Sequence, residues 1–501
     1  MTKTFKKTAL ILVAILFASM ELNAQELKIG TATADISPKL PVALFGQFEN
    51  RIAKSADTPL KASVIALEST DGNHTLDAAI MVSCDLLFAP DILLKTIRTE
   101  VHKQIPALDV SKIFLNAIHT HTAPVLENGE TQRFRYNIPK TGITQPEEYV
   151  QFFCKKVSDA IVIAWNTRVL GSASWGLTHA TIAYNRRATY FDGKAQLYGA
   201  TNRDDFSNLE GTDDHDVNSL FFWNNKGKLI GMAVDIPCPA QEMEHGRAVN
   251  ADFWHPVREK LKTVYGKDIC VVAWTGAAGD QSPHLMYRKA ADDRMNKLAN
   301  IERIDAIAKR IVDAITESYN IVKNDRHANL KFVHKTEVLQ LPMQIITEAE
   351  YLLGKAEFEK FTAELAADPT KADNILAFIS WNKGVVERYE KQKENPNPKM
   401  NTEIHVLRIG DIAVCTNQFE LYSDFGIRIQ TRSKALQTFV VQLAGAGSYL
   451  PTGKAFKGGS YSAVCQSILA GPEGGQVLVN RSLELINGMF PEVTKPIDQF
   501  R

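Results

Sequence analysis

Short apolar runs alternate with amphipathic stretches along most of this 501-residue chain. Apolar runs of about four to eight residues between turn-forming residues predict buried strands, and apolar positions at helical spacing predict helices. The predicted strands cover residues 64–67, 78–83, 113–118, 219–223, 229–236, 269–274, 406–409, 412–416 and 439–443. The predicted helices cover residues 90–104, 150–169, 251–264 and 305–319.

The order of these elements predicts an α/β fold. A helix separates strands 78–83 and 113–118, and a strand–helix–strand unit favours parallel pairing. Strands 219–223 and 229–236 flank a turn that is typical of an antiparallel hairpin. Residues 347–399 are rich in Ala, Glu and Lys with helical periodicity, which predicts a helical insertion or lid. We therefore expect one large domain: a large mixed or parallel sheet flanked by helices, with an inserted helical pair.

The first 24 residues have the pattern of an export signal. Lys3, Lys6 and Lys7 precede the apolar stretch 9–18, and small residues lead to a cleavage position after Ala24. That stretch is too short to span a bilayer, and no later segment is apolar enough to do so. The sequence predicts an exported mature protein, periplasmic or secreted, without a transmembrane segment.

The net charge limits the kinds of partner that the sequence supports, and the number of cysteines limits the kind of scaffold. Lys and Arg together number 57, as do Asp and Glu, so the formal net charge is zero. That balance gives no support for a nucleic-acid partner or an anionic membrane surface. The six cysteines lack CxxC spacing and are too sparse for a disulfide scaffold.

His119-Thr120-His121 follows directly on the apolar run 113–118. Side chains spaced i, i+2 on an extended segment point to the same side. The run therefore predicts a strand that delivers both imidazoles to its C-terminal end, where open sheets place ligands. Neutral imidazole is a common zinc ligand and can also transfer protons. The alternative interpretation is two hydrogen-bonded histidines at a strand end.

Further polar residues follow apolar strand-like runs in the same way. The planar fork of Arg186 could hold an anionic or carbonyl oxygen, or this residue is a surface arginine. Cys238, between two prolines, is either a thiolate zinc ligand or a buried thiol. His245, Asp252 and His255 follow closely and could contribute instead.

Three later segments complete the set of candidates. Ser282 lies on the glycine-containing loop 276–283, whose amides could bind an oxyanion, but no GxSxG motif marks it as an activated serine. Glu420 is a candidate metal ligand or an acid at the start of the following helix. Tyr449 and Tyr461 could serve as a metal ligand and an oxyanion donor, or could be ordinary loop tyrosines.

Taken in order, these segments resemble the neutral, non-lysosomal ceramidase family of zinc amidases over residues 27–489. The shared pattern is the HTH segment, an Asn-Arg pair, a strand end at the second metal position, a GDxSP loop, an acidic segment and two tyrosines. The resemblance implies a zinc hydrolase domain over residues 25–501 and a bound Zn²⁺. It assigns the metal ligands to His119, Cys238, Glu420 and Tyr449, and the catalytic roles to His121, Arg186, Ser282 and Tyr461.

Two departures from the family pattern affect what can be carried over. The family's second metal histidine, followed by Gly-Thr-Ser-Met, corresponds to Cys238 here. The alternatives are that Cys238 completes the ligand set, that His245 does so, or that the metal is held more weakly. The family also has a further immunoglobulin-like domain, which we do not expect after Arg501.

The expected activity is hydrolysis of an amide bond in a small-molecule or lipid-like substrate, either ceramide or a related N-acyl compound. In the mechanism that the resemblance implies, Ser282 or a water attacks the carbonyl, His121 transfers a proton, and Tyr461 and Arg186 stabilise the carbonyl oxygen. The alternatives are a zinc hydrolase for a different ester or carbohydrate-derived substrate, and a non-catalytic binding protein with the same fold.

Overall fold

The structure, a computed structural model, describes residues 25–491. The predicted export signal at residues 1–24 lies outside this range. Across the described residues, no helix combines the length and the apolar character needed to cross a membrane.

The described chain contains both strands and helices, with runs of consecutive strands before residue 91 and between residues 166 and 254. The strands are β1 (Glu26–Asp35), β2 (Val42–Leu44), β3 (Arg51–Ala53), β4 (Lys61–Asp71), β5 (His74–Cys84), β6 (Ile113–Ala117), β7 (Val169–His179), β8 (Tyr184–Asn185), β9 (Arg187–Tyr190), β10 (Ala195–Leu197), β11 (Phe206–Leu209), β12 (Asp216–Asn224), β13 (Leu229–Ile236), β14 (Cys270–Thr275), β15 (Gln281–Ser282), β16 (Phe332–Pro342), β17 (Lys399–Ile409), β18 (Ile412–Thr416), β19 (Glu420–Leu421), β20 (Gln437–Val441) and β21 (Tyr449–Leu450). The helices are α1 (Asp91–Gln104), α2 (Pro146–Asn166), α3 (Trp254–Tyr265), α4 (Lys289–Ala299), α5 (Arg303–Val322), α6 (Glu348–Ala367), α7 (Ala372–Glu394), α8 (Ser423–Arg432), α9 (Gly453–Gly458) and α10 (Pro472–Met489).

Two sheets form the centre of the fold. The larger has eight strands in the order β14-β13-β12-β7-β1-β4-β5-β6, and the smaller has four in the order β16-β17-β18-β20. The pair β5 and β6, connected through α1, is parallel, which confirms the prediction for that unit. The antiparallel hairpin of β12 and β13 is also confirmed. Antiparallel and parallel pairs coexist, so the α/β fold with a large mixed sheet is as the sequence predicts.

The larger sheet is buried on both faces, and its strands alternate accordingly. In β4, Val64 and Ala66 pack beneath helices α1 and α2, whereas Ile65 and Leu67 pack against the smaller sheet. Neighbouring strand residues point to opposite faces, so an unbroken apolar run supplies two cores at once. Helices α3 and α5 continue the outer layer over β12 and β13, and α8 and α10 cover the smaller sheet.

The helical insertion is confirmed as α6 and α7. It connects β16 to β17, which pair in unbroken antiparallel register from Phe332 opposite Ile409 to Pro342 opposite Lys399. Helix α6 begins with a capping box, in which the Thr347 hydroxyl accepts from the Glu350 amide at 3.3 Å and the Glu350 carboxylate accepts from the Thr347 amide at 2.8 Å. The insertion thus extends from the end of a long strand pair, next to the loops described below.

Candidate active site

A cavity of about 350 Å³ lies where several strand ends meet. Six of the eight residues predicted for the site line it: His119, His121, Arg186, Glu420, Tyr449 and Tyr461. The two histidines follow β6, Arg186 follows β8, and Glu420 lies opposite Tyr449 in the parallel pair of β19 and β21. The cavity therefore collects side chains from distant parts of the sequence through sheet pairing.

The backbone at His119 differs from the expected extended segment. Strand β6 ends at Ala117, and His119 has a φ of 72°, in the left-handed region that few residues other than glycine adopt. Its amide donates to the carbonyl oxygen of Leu86 at 3.0 Å, which fixes this turn. The two rings of His119 and His121 nevertheless reach the same cavity, with centroids 4.9 Å apart and planes at 82°. Both rings therefore face one cavity, as the i, i+2 spacing predicts, but a turn rather than a strand brings them there.

The ring of His119 is oriented as a metal ligand requires. Its Nδ1 lies 3.1 Å from the carbonyl oxygen of Leu87, so Nδ1 carries the proton and Nε2 presents a lone pair. Burial lowers the pKa of His119, which favours the neutral ring. Nε2 faces the Glu420 carboxylate oxygen Oε2 at 3.5 Å. Two donors on one tetrahedral zinc ion, each at about 2.0–2.1 Å, lie roughly 3.3–3.4 Å apart, so this separation fits two ligands of one ion.

Tyr449 supplies the third donor of the predicted set. Burial, the Glu420 charge and a hydrogen bond to Glu420 raise the pKa of its phenol well above the usual range, and the charge of Arg186 opposes them. Among residues 25–491, no three His, Cys, Asp or Glu side chains are grouped as a metal site would require. The fit of this pocket to zinc therefore depends on a tyrosine as the third donor beside His119 and Glu420.

Both terminal nitrogens of Arg186 are hydrogen-bonded to protein groups, whereas its buried Nε has no hydrogen-bond partner among the described residues. Its Nη1 donates to the Tyr198 hydroxyl and to Gln241 Oε1, both at 3.0 Å. Its Nη2 donates to the Gly279 carbonyl oxygen at 3.0 Å and to the Tyr449 hydroxyl at 3.4 Å. Through these four hydrogen bonds the buried Arg186 cross-links four segments around the cavity and holds the phenol of Tyr449 in place.

His121 is held as a neutral base beside His119. The side-chain amide of Gln241 donates to Nε2 of His121 at 2.8 Å. Burial, followed by the charges of His119 and Arg51, lowers the pKa of His121 well below its usual value. A Cβ at Gly46 would lie 2.7 Å from this ring, and Gly46 has a φ of 111°, so glycine is required there. Sequence reasoning missed Gln241, although it lies three residues after Cys238 in the same loop.

Two solved structures share this arrangement of sheets and helices. The crystal structure of neutral ceramidase from Pseudomonas aeruginosa has a TM-score of 0.68 and 16% sequence identity, and the match covers 95% of this chain and 76% of that chain. A second, a ceramidase complexed with C2, has a TM-score of 0.67 and 15% identity, and the match covers 94% and 77% of the two chains. This chain has the neutral ceramidase fold. No family model and no curated protein matches its sequence.

In this neutral ceramidase fold, Cys238 lies apart from the other predicted ligands. It is buried in the apolar cluster between β13 and helix α3, and its Sγ lies 3.8 Å from the Ile182 carbonyl oxygen. Burial raises the pKa of this thiol well above its usual value, and Cys238 is not among the residues that line the cavity. Cys238 is therefore a buried thiol in this structure, which is the second of the two interpretations of its sequence position. His245 does line the cavity, with a largely exposed side chain whose Nε2 is 3.5 Å from Glu244 Oε1.

Ser282 also lies away from the cavity lining. It is fully buried in β15, opposite Tyr184 of β8, and its Oγ accepts from the His284 amide at 3.2 Å. The adjoining Gly279 packs so closely on Glu420 that a Cβ there would come within 2.3 Å of the Glu420 carbonyl oxygen. In this structure the GDxSP loop supports Glu420 from behind, and the Ser282 hydroxyl reaches the cavity only through its hydrogen bond with Tyr198.

An aromatic wall, which the sequence patterns did not reveal, forms one side of the cavity. It consists of Phe45, Phe48, Phe88, Phe134 and Tyr136. Its members contact each other edge to face, as Phe48 and Phe134 do with centroids 5.3 Å apart. The wall makes one side of the cavity apolar, and its Phe88 and Phe48 lie 5.3 Å and 5.8 Å from the rings of His119 and Tyr461, respectively.

Helix α7 of the insertion supports this wall from outside. Its Phe378 stacks on Phe48 at 4.3 Å, and its Trp381 contacts Tyr461 at 5.9 Å. The insertion therefore lies against the aromatic wall.

Proposed function

We propose that this protein is a metal-dependent hydrolase that cleaves amide bonds with ceramidase-like chemistry. One observation carries the proposal: Nε2 of His119 and a carboxylate oxygen of Glu420 lie 3.5 Å apart with lone pairs facing, next to the phenol of Tyr449. Two such acceptors repel each other unless a cation or proton lies between them, and their separation suits two zinc ligands. The neutral ceramidase fold adds support for the same chemistry.

His119, Glu420 and Tyr449 would hold the zinc ion. A bound zinc ion would polarise the amide carbonyl and lower the pKa of a water molecule. His121 is neutral and can accept a proton at Nε2 once Gln241 releases its hydrogen bond.

Tyr461 is suited to donate a hydrogen bond to the carbonyl oxygen. Burial and the Glu420 charge raise its pKa to about 12, so its hydroxyl stays protonated at neutral pH. Arg186 acts indirectly in this scheme, because its donors hold Tyr449 and Gln241. The attacking group is water, because the Ser282 hydroxyl is buried outside the cavity.

The aromatic wall indicates the kind of substrate. Its five aromatic side chains offer an apolar surface for an acyl chain beside the polar strand ends. This supports ceramide or a related N-acyl compound as the substrate of an exported mature chain.

The test combines elemental analysis with hydrolysis assays. We expect purified protein to contain about one zinc per chain and to release fatty acid from dodecanoyl amides, including ceramide. Glu420→Gln and His119→Ala should lose both metal and activity, whereas Glu359→Gln, on the exposed side of α6, should keep both. A wild-type protein that neither binds zinc nor hydrolyses any of these amides after zinc addition would overturn the proposal and favour a binding protein.

A further inference from the structure

A second cavity of about 380 Å³ adjoins the first. It lies between α7 and the segment that precedes α2, and four residues line both cavities: Phe45, Phe88, Arg133 and Phe134. Three of these are apolar, so Arg133 alone brings a charge to the shared wall. The second cavity has more charged side chains in its lining than the first and fewer aromatic ones, and its charges are of both signs.

Arg133 has almost no hydrogen-bond partners within the protein. Among the described residues, no carboxylate lies within ion-pairing distance of it, and its single hydrogen bond runs from Nη1 to the Ser467 carbonyl oxygen at 3.4 Å. Its guanidinium lies over the rings of Phe134 and Phe88, 5.1 and 5.9 Å from their centroids. A guanidinium has five N–H donors, so most of those of Arg133 remain available to a ligand.

The other arginines beside the site contrast with Arg133. Arg186 uses its donors on four protein acceptors, and Arg187 pairs with Glu210 at 2.6 Å. The carboxylates that line the second cavity with Arg133 are Glu127, Glu130 and Glu387, and none of them forms an ion pair with it. Among the described residues, the guanidinium at the shared wall therefore has no carboxylate as a direct partner.

Arg133 is close enough to the predicted reaction centre to contact a bound substrate. The ring of Phe88 is near both, 5.9 Å from the Arg133 guanidinium carbon and 5.3 Å from the ring of His119. A group attached to the amide nitrogen can reach this position while the carbonyl stays near His119.

We propose that Arg133 binds a carboxylate on the amine side of the substrate, so that the preferred substrates are N-acyl amino acids. This inference rests on the proposed amide hydrolysis. The aromatic cavity takes the acyl chain, and the charged second cavity takes the polar amine arm. Guanidinium is weakly hydrated and matches a carboxylate with two parallel N–H donors, which suits a half-buried site on aromatic faces.

Matched pairs of amides test the proposal. The first pair is N-dodecanoylglycine and N-dodecanoylethanolamine, which differ only in that a carboxylate replaces a hydroxymethyl group. The second pair, the dodecanoyl amides of 4-aminobutyrate and of 4-aminobutanol, makes the same comparison on a longer amine arm. We expect kcat/KM of the wild type to favour the anionic member of at least one pair by roughly tenfold or more, mainly through KM. Arg133→Met should bring that ratio close to one, and Arg133→Lys should retain part of it. Arg135→Met, a neighbouring arginine that lines neither cavity, should leave the ratio unchanged.

The outcomes separate this proposal from the proposed function. A wild type without preference in either pair, or an Arg133→Met variant that loses activity equally on both members, would overturn the role of Arg133 while leaving amide hydrolysis intact. If no amide is hydrolysed, the proposed function fails, and calorimetric binding of the same pairs decides the anion site. Tighter binding of the anionic member that Arg133→Met abolishes would support it, and equal binding would overturn it.

Discussion

Replacing Arg186 with Met distinguishes two roles for this residue. The resemblance to ceramidases implies a substrate-side donor, whereas the structure shows a buried cross-link between protein segments. Met keeps much of the apolar stem and removes the guanidinium. Two fully covered acceptors then lose their donors, namely Gln241 Oε1 and the Gly279 carbonyl oxygen. The hydroxyls of Tyr198 and Tyr449 can rotate toward other partners, so the loss of these two contacts adds little.

The structure sets the size of the expected effect. A buried acceptor that loses its partner costs about 1–3 kcal/mol, so two of them cost about 2–6 kcal/mol. Removing the charged group also relieves its own desolvation, which shifts the expected loss toward the lower part of that range, about 2–4 kcal/mol in the free energy of unfolding. A donor that faced only substrate and water would cost less than about 0.5 kcal/mol when removed.

Urea unfolding followed by tryptophan fluorescence measures this difference. Arg135→Met serves as the matched control, because Arg135 is only half-buried and its side chain should contribute little. Activity should fall in Arg186→Met as well, because Tyr449 loses a hydrogen bond that fixes its phenol. A variant with wild-type stability but strongly reduced activity would refute the structural reasoning and restore the substrate-side role.

The remaining predictions concern the metal, the nucleophile and pH. Cys238→Ala should keep the zinc content of the wild type, since its thiol is buried apart from His119, and loss of metal would contradict this placement. Ser282→Ala should retain most amide hydrolysis and wild-type burst kinetics should show no acyl-enzyme, whereas a trapped acyl group on this serine would show that it is the nucleophile. Although burial raises it, hydrogen bonds from His405 and Arg98 lower the pKa of Glu403 to about 2. This folded-state pKa lies below the unfolded value of about 4.5. The ionised Glu403 therefore stabilises the fold above about pH 4.5, and this stabilisation is lost as the pH falls toward 2. The difference in unfolding free energy between wild type and Glu403→Gln should therefore shrink from pH 6 to pH 3.5, and a constant difference would contradict the assignment.

The parts of the fold that depend on local pattern could be predicted from the sequence. The apolar runs of β5 and β6 and the helix between them specify a parallel pair, because a right-handed crossover satisfies both elements. Strands β1 and β7 were not predicted, although both belong to the larger sheet. In β7 the exposed and half-buried residues outnumber the buried ones, so the strand lacks a clear apolar run. Its place is set by pairing with β12, a contact that local patterns do not encode.

The same limit applies to the candidate site. Glu420 and Tyr449 were predicted from their positions after apolar runs, and the pairing of β19 with β21 brings them together. Cys238 follows an apolar run equally well, but its side chain turns into the cluster beneath α3. Sequence position fixes where a strand ends, whereas the rotation of the following loop decides which residue faces the cavity. Gln241 reaches His121 from that loop, where the family pattern placed a ligand at Cys238.

The cavity has a floor, formed by His119, Glu420 and Tyr449 at the strand ends, and the aromatic wall. These two parts are supported by different elements, so the residues proposed for the reaction and those proposed to bind the acyl chain can change independently. The floor lies on paired strand ends that are continuous with the two sheets. The wall lies on loops that are joined to α7 of the insertion, since the Ser380 hydroxyl accepts from the Arg135 amide at 3.0 Å and Phe378 stacks on Phe48. Changes in α7 can therefore reshape the surface that meets the acyl chain without moving His119 or Glu420. The insertion is accordingly the part of the chain where differences in substrate preference are most easily accommodated.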